Sequence, residues 1–171
     1  MLKFLGALLL AGGTAALGLN AAHRLSVRLQ VLSSLLTALQ LMQAEIAFRQ
    51  TPVPELLEQL AHQLPPPADG LFALCAQRGE ELGRVPFSEI WRESVESCRG
   101  LELSRQERRE LAAIGNILGR YDVDGQLAAL AALERRVEQL FSQAQQERDS
   151  RSKVFSALGI VTGLALIILL L

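Results

Sequence analysis

The chain has 171 residues, half of them apolar and a fifth charged, and a formal net charge of −1. Such a balance lacks the basic surface that binding to nucleic acid requires, and apolar residues drawn mainly from Leu and Ala rather than β-branched types argue against a sheet. Cys75 and Cys98 lie in predicted helices without a CxxC or a Cys/His cluster, so reduced thiols are expected rather than a disulfide framework or a zinc site.

The charge is unevenly spread: residues 24–153 hold sixteen Lys/Arg and eighteen Asp/Glu, while the two ends are almost uncharged. No charged residue occurs from Phe4 to Ala22, and none from Val154 to Leu171. At a rise of 1.5 Å per residue the second of these runs reaches ~27 Å, close to the hydrocarbon thickness of a bilayer. Residues 1–23 and 154–171 are therefore predicted transmembrane helices, with residues 24–153 as a helical domain between them. A cleavable signal peptide shares Lys3, the apolar run and the small residues near Ala15-Ala16 with the first segment. The run is long for that, and the helical pattern continues from Arg24 without a loop. Arg24, Arg28, Arg148, Arg151 and Lys153 flank the spans on the inner side against Lys3 alone on the outer, which predicts a cytoplasmic domain with both termini outside. Gly159 and Gly163 form a GxxxG in the last span, and Gly6, Ala7, Ala11 and Ala15 share one side of the first. This spacing admits close helix packing, within or between chains, although Gly and Ala are common in spans anyway.

Between the spans, Leu25, Leu29, Leu32, Leu36, Leu39, Gln43 and Ile46 step by alternating fours and threes, a heptad seam that extends the first helix to about Phe48. Thr51 is placed to cap a second helix with Pro52 at its first position, Pro54 and Glu55 in its first turn, and Leu56, Leu57, Leu60 and Leu64 inward. Pro65-Pro66-Pro67 ends it. Asp69 is positioned to cap a third helix over Gly70–Leu82 that stops at Gly83. A fourth is predicted from Phe87 to Cys98 with Ile90, Trp91 and Val95 apolar. Ser104-Arg105-Gln106-Glu107 reads as a capping box opening a fifth, with Leu111, Ile114 and Leu118 inward and Gly119 near its end. Asp122 or Asp124 caps a sixth, which carries Leu127, Leu130, Val137, Phe141 and Ala144 toward the last span. The expected fold is all-α, a bundle of about six helices.

No constellation of catalytic residues is visible. His23 and His62 lack metal-ligand company, and Asp122-Val123-Asp124-Gly125 has its glycine too early for a calcium loop, whose twelfth position would be Leu133 rather than a glutamate. No P-loop, dinucleotide fingerprint or nucleophile elbow occurs. No enzyme, cofactor or metal is expected.

The opening Met1-Leu2-Lys3, Leu39-Gln40, Glu45-Ile46 and Thr51-Pro52-Val53-Pro54-Glu55 resemble the stage III sporulation protein AB family of endospore-forming bacteria. So do Ile90-Trp91-Arg92-Glu93-Ser94, Gly115, Leu118-Gly119, Asp122, Gln126 and the Leu-rich tail. The likeness spans nearly the whole chain; Val53 stands where leucine is expected. That family is similar to the helical domain of the inner-membrane platform proteins of type II secretion and type IV pilus machines. The resemblance implies a non-enzymatic platform or adaptor of the channel between mother cell and forespore, in the mother-cell membrane. Its implied partners are a cytoplasmic secretion-type ATPase and other channel membrane proteins, with self-association a further possibility. A membrane-anchored extracytoplasmic scaffold or sensor is the alternative. Against it stand the inner-flank arginines and the expectation that such a sensor carries a signalling domain beyond its second span.

Partner contacts are sought among polar or aromatic residues that helix patterning does not require. Glu45 and Arg49 lie one turn apart beside Glu55, as a surface patch or an ordinary intrahelical ion pair. Trp91 is either a core anchor or an interface hot spot. Arg120, Asp122 and Gln126 sit at the last helix junction, for capping or for contact.

Overall fold

The computed structural model describes residues 2–49, 51–118 and 122–170, and side chains within residues 20–49, 51–118 and 122–150. The fold is all-α: six helices, with no strand among the described residues. Two of the helices are long. Helix α1 covers Leu2–Ala44 and α6 covers Val123–Leu170. Of the expected spans, residues 2–23 and 154–170 lie in these helices, with side chains described only at 20–23, which are exposed; Gly119 and Arg120 lie outside the described residues.

Side-chain bonds between the long helices give their register. Arg28 Nη1 donates to Glu147 at 2.9 Å, and Gln40 and Gln43 each donate to Glu134 at 2.8 Å. An interval on α1 from 28 to 40 is thus matched by a nearly equal interval on α6 run backwards from 147 to 134, so the two helices are antiparallel. Both meet at one end, around Ala44 and Val123, and run from it toward the apolar ends of the chain.

Two helical hairpins fill the flank of this pair. Helices α2 (Val53–Gln63) and α3 (Ala68–Gln77) pack on each other and against α1, while α4 (Phe87–Ser97) and α5 (Arg105–Ile117) pack on each other, with α3 touching α4 and α5 lying on α6. Helix α1 is covered on two sides, which is why its heptad seam tells only half of its burial. Leu25, Leu29, Leu32, Leu39 and Ile46 are buried as expected. So is a second stripe, Val31, Leu35, Ala38 and Met42, with all but Leu35 at 0% exposure. The stretch Asn20–Arg49 is long and apolar enough to cross a membrane, with a mean hydropathy of 1.4, but 44% of its most apolar window is buried within the bundle, so core packing accounts for its composition.

Helix ends follow local chemistry where a partner exists. The capping box at α5 forms as expected: Ser104 Oγ accepts from Glu107 N–H, and Glu107 Oε2 accepts from Ser104 N–H at 2.7 Å. Three boundaries differ from expectation. Thr51 does not cap α2, because its hydroxyl donates to Glu45 Oε2 at 2.7 Å, and the helix begins at Val53 after Pro52 without a side-chain cap. Asp69 lies inside α3 rather than before it, and its carboxylate accepts from the adjacent Gly70 N–H. That helix ends at Gln77 rather than Leu82, since a short 3-10 turn over Gly79–Glu81 takes over. Arg78 holds this turn, donating to Glu81 and Glu93 at 2.8 Å and so tying it to α4.

Between α4 and α5, Gly100 takes φ +89° and Glu102 takes φ +48°. The pattern buries Leu101 (0% exposed) and Leu103 (8%) while turning Glu102 out toward Arg24, 3.1 Å away. Here packing of two leucines holds a non-glycine residue in the left-handed region.

Candidate partner-binding site at the far end of the long helices

The last turn of α1 widens into a π-helical segment, Glu45–Arg49, an arrangement that occurs often at functional sites. It points Ile46 inward (7% exposed) and Phe48 outward (87% exposed). The Glu45 carboxylate joins this segment to the next: Oε1 accepts from Arg49 Nη1 at 3.1 Å, and Oε2 takes the Thr51 hydroxyl. The proline-marked turn Thr51-Pro52-Val53-Pro54 then directs α2 back along α1.

Facing this turn is the start of α6. Leu118 N–H closes α5 on Ile114 C=O at 3.1 Å, and after the junction Gln126 N–H donates to Asp122 C=O at 2.9 Å. Between the two lies a cleft of about 270 Å³ lined by Ile46, Thr51, Pro52, Val53, Leu56, Leu118, Val123 and Gln126. Residues more than sixty positions apart in the chain therefore build one site, and all but Leu56 fall within the 45–55 and 118–126 stretches, parts of which carry the resemblance to the sporulation family.

Of the residues singled out in the sequence, the structure brings Glu45, Arg49, Asp122 and Gln126 to this end of the bundle. Glu45 is half-buried and Arg49 exposed; Asp122 is exposed, and Gln126 half-buried in the cleft wall. Glu55 is exposed in the first turn of α2 and accepts from Gln59 Nε2 at 3.4 Å. Arg120 lies outside the described residues, as do the surroundings of Gly159 and Gly163. Trp91 is elsewhere. At 0% exposure its ring lies between Phe72 and Phe87, at centroid distances of 5.4 and 6.0 Å, and its Nε1 donates to Leu111 C=O at 2.7 Å. A side chain enclosed on all sides offers nothing to a partner, so Trp91 is an anchor of the core and not a contact residue.

One polar centre was not singled out. Arg28 Nε and Nη2 engage both oxygens of Glu107, at 2.8 to 3.1 Å, and its Nη1 reaches Glu147, so that one guanidinium joins α1, α5 and α6. The Glu107 side chain is fully buried and that of Arg28 is 21% exposed. The Glu107 carboxylate beside it holds the Arg28 guanidinium above its ordinary pKa, against the opposing effect of burial. The signal for this centre was the second stripe on α1: continued back one turn from Val31, it lands on Arg28. An arginine at a core-facing position requires a buried acid opposite.

No group of three or more His, Cys, Asp or Glu among the described residues could hold a metal ion. Cys75 and Cys98 are free thiols, the first buried and the second half-buried. A shallower depression of about 400 Å³ between α4 and α5 is lined by Pro86, Ser88, Glu89, Arg92, Ala112 and Asn116, with Glu89 and Arg92 paired at 3.8 Å. Its lining holds a serine but no histidine, and its one carboxylate, Glu89, faces Arg92, so no activated nucleophile is formed there.

The fold defines an all-helical protein whose two longest helices continue into apolar ends. The family model for stage III sporulation protein AB matches residues 3–171, and the chain belongs to that family. Stage III sporulation protein AB of Bacillus subtilis (strain 168) is 29% identical over 172 residues, covering 100% of both chains. A solved structure of stage III sporulation protein AB superposes with a TM-score of 0.67 at 26% identity, covering 72% of this chain and 98% of its own. The family places the chain in sporulation.

Proposed function

We propose that the chain is a non-enzymatic membrane platform of the sporulation channel complex, coupling a cytoplasmic secretion-type ATPase to membrane components between mother cell and forespore. The observation that carries this reading is mechanical. The site at the far end is built on the ends of α1 and α6, and each helix runs from there without a break toward an apolar terminus. A push or rotation applied at Glu45–Glu55 or Asp122–Gln126 is transmitted along two antiparallel rods locked together by Arg28, Glu107, Glu147 and Glu134. Buried packing resists continuous deformation, so the rods move as one body.

On this reading residues 1–23 and 154–171 span the mother-cell membrane side by side, residues 24–153 lie in the cytoplasm, and Gly159 and Gly163 serve helix packing within the bilayer. The antiparallel register supports the arrangement, since both helices then enter the membrane from the same side.

Two experiments test the reading. A reporter fused after Leu171 should be active only outside the cytoplasm; activity inside removes the physical basis for coupling. Photocrosslinkers placed at Arg49 or Glu55 in sporulating cells should capture the ATPase of the same complex. Capture of extracytoplasmic proteins alone would favour a scaffold on the other side of the membrane.

A further inference from the structure

Every exposed position of α1 between Leu25 and Ala44 is uncharged: Ser26, Gln30, Ser33, Thr37, Gln40 and Ala44. They step by alternating fours and threes, so they form a second heptad stripe, on the solvent side of the helix. One turn beyond Ala44 the stripe ends in Phe48, 87% exposed. On the stretch of α6 beside it, by contrast, Arg135, Arg136 and Glu138 all stand in solvent. A solvent-facing helix side ordinarily carries charge, and charge is what the buried centre of an interface lacks.

This face is also ready for burial. Thr37 Oγ donates to Ser33 C=O at 3.2 Å, Gln30 Nε2 to Pro66 C=O at 2.8 Å, and Gln40 Nε2 to Glu134 at 2.8 Å. These donors keep their partners when water leaves, so covering them costs little. Phe48 adds a large apolar surface that gains from being covered.

Resting on the reading of residues 1–23 and 154–171 as spans of one membrane, we infer that a second copy of this chain packs on this face, α1 along α1. Two copies anchored in one bilayer stand parallel and at equal height, with their two-fold axis along the membrane normal. Each residue beside the axis then meets its own counterpart, so any charge there would meet a like charge. A face free of charge over ~33 Å, from Ser26 to Phe48, satisfies that requirement, which an unrelated partner does not impose. A seam of this length and about 10 Å width covers on the order of 700 Å² over both copies, less than the ~1,200 Å² of a stable soluble interface. Joint anchorage makes up the difference by removing most of the orientational cost and raising the effective concentration. The two Phe48 rings meet at the far tip and close the seam where the anchors hold it least.

The test uses the full chain in liposomes at low copy density, with association read by energy transfer between two differently labelled populations. Thr37→Glu and Thr37→Lys should each abolish association, and mixing the two variants should restore it, a recovery that misfolded chains could not give. Phe48→Ala should weaken association by about tenfold, the loss typical of an interface anchor. In chains with Cys75 and Cys98 replaced by alanine, Ser33→Cys and Thr37→Cys should be oxidised to a linked dimer. Gln139→Cys on α6 and Glu58→Cys on α2, both exposed, should link at least about tenfold more slowly. A native chain that stays monomeric overturns the seam. So do native-like association of Thr37→Glu, failure of the Glu and Lys variants to pair, and linkage at position 139 or 58 as fast as at 37. The reporter fused after Leu171 is independent of these outcomes: activity inside the cell faults the span reading, whereas activity outside with no dimer faults the seam alone.

Discussion

Gly115 lies against Trp91 so closely that a β-carbon on it would fall 2.9 Å from both Cβ and Cδ1 of the tryptophan, and 3.1 Å from the backbone Cα of Ser88. Helices α4 and α5 approach at this point because α5 has no side chain there, and Trp91 Nε1 uses the proximity to donate to Leu111 C=O at 2.7 Å. Alanine at 115 would gain up to ~1 kcal/mol of helix propensity. It would also force α4 outward, since backbone as well as ring is in the way. Overpacking of this kind costs about 1–3 kcal/mol, so Gly115→Ala is expected to lower the thermal midpoint in a melt of the full chain. An unchanged or raised midpoint would show that α4 and α5 can separate freely.

The Arg28 centre should respond unequally to the loss of its two acids. Glu107 is fully buried, carries the bidentate contact and completes the α5 capping box. Its replacement by alanine strands a largely buried guanidinium and removes a cap, for about 3 kcal/mol. Glu147 is 39% exposed, so Glu147→Ala should cost no more than ~1 kcal/mol. Denaturant unfolding of both variants measures the contrast; equal losses would mean that burial does not set the strength of this centre.

Burial pushes the Cys75 thiol above the ordinary cysteine value of 9.0, up to about 11. The folded state then keeps a proton that the unfolded chain releases. Unfolding becomes easier as pH rises from about 9 and the loss is complete above about 11, because a folded-state pKa raised above the unfolded value stabilises only below that window. Stability measured from pH 8 upward should fall less steeply in Cys75→Ala than in the native chain. The same burial predicts that Cys98, half-buried, is alkylated before Cys75 in the folded protein, a comparison readable by mass spectrometry.

Glu102 sits at φ +48° between two buried leucines. A β-branched residue tolerates the left-handed region poorly, so Glu102→Val should destabilise by about 1–2 kcal/mol. In Glu102→Gly, relief of backbone strain offsets the lost contact to Arg24 and the freer unfolded chain, leaving stability within about 0.5 kcal/mol of native. Guanidinium melts of the two variants decide it, and equal destabilisation would place the cost in the ion pair instead of the backbone.

How far each feature could be read in advance depended on whether its cause was local. The capping box at Ser104 needs four consecutive residues and was legible. Thr51 was misread because the same hydroxyl can cap its own helix or bond a side chain on the preceding one, and only the position of Glu45 settles that choice. The end of α3 was placed too late because Glu80, Glu81 and Leu82 are acceptable helix residues; what stops the helix is Arg78 reaching Glu93 on α4. Trp91 could be weighed as core or surface until Phe72, Phe87 and the gap at Gly115 were seen to enclose it.

By itself the sequence determined the helical class, the seam of α1, the α5 cap and the blocks by which the family is known, since each rests on residues within a few turns of one another. Tertiary structure alone decided that α1 is buried along two stripes, that Arg28 faces Glu107 and Glu147, and that the Thr51 turn and the α6 start form one cleft. These depend on antiparallel register between helices whose paired residues lie 91 to 119 positions apart, which is set by the summed packing of the whole bundle and leaves no mark in any short stretch of chain.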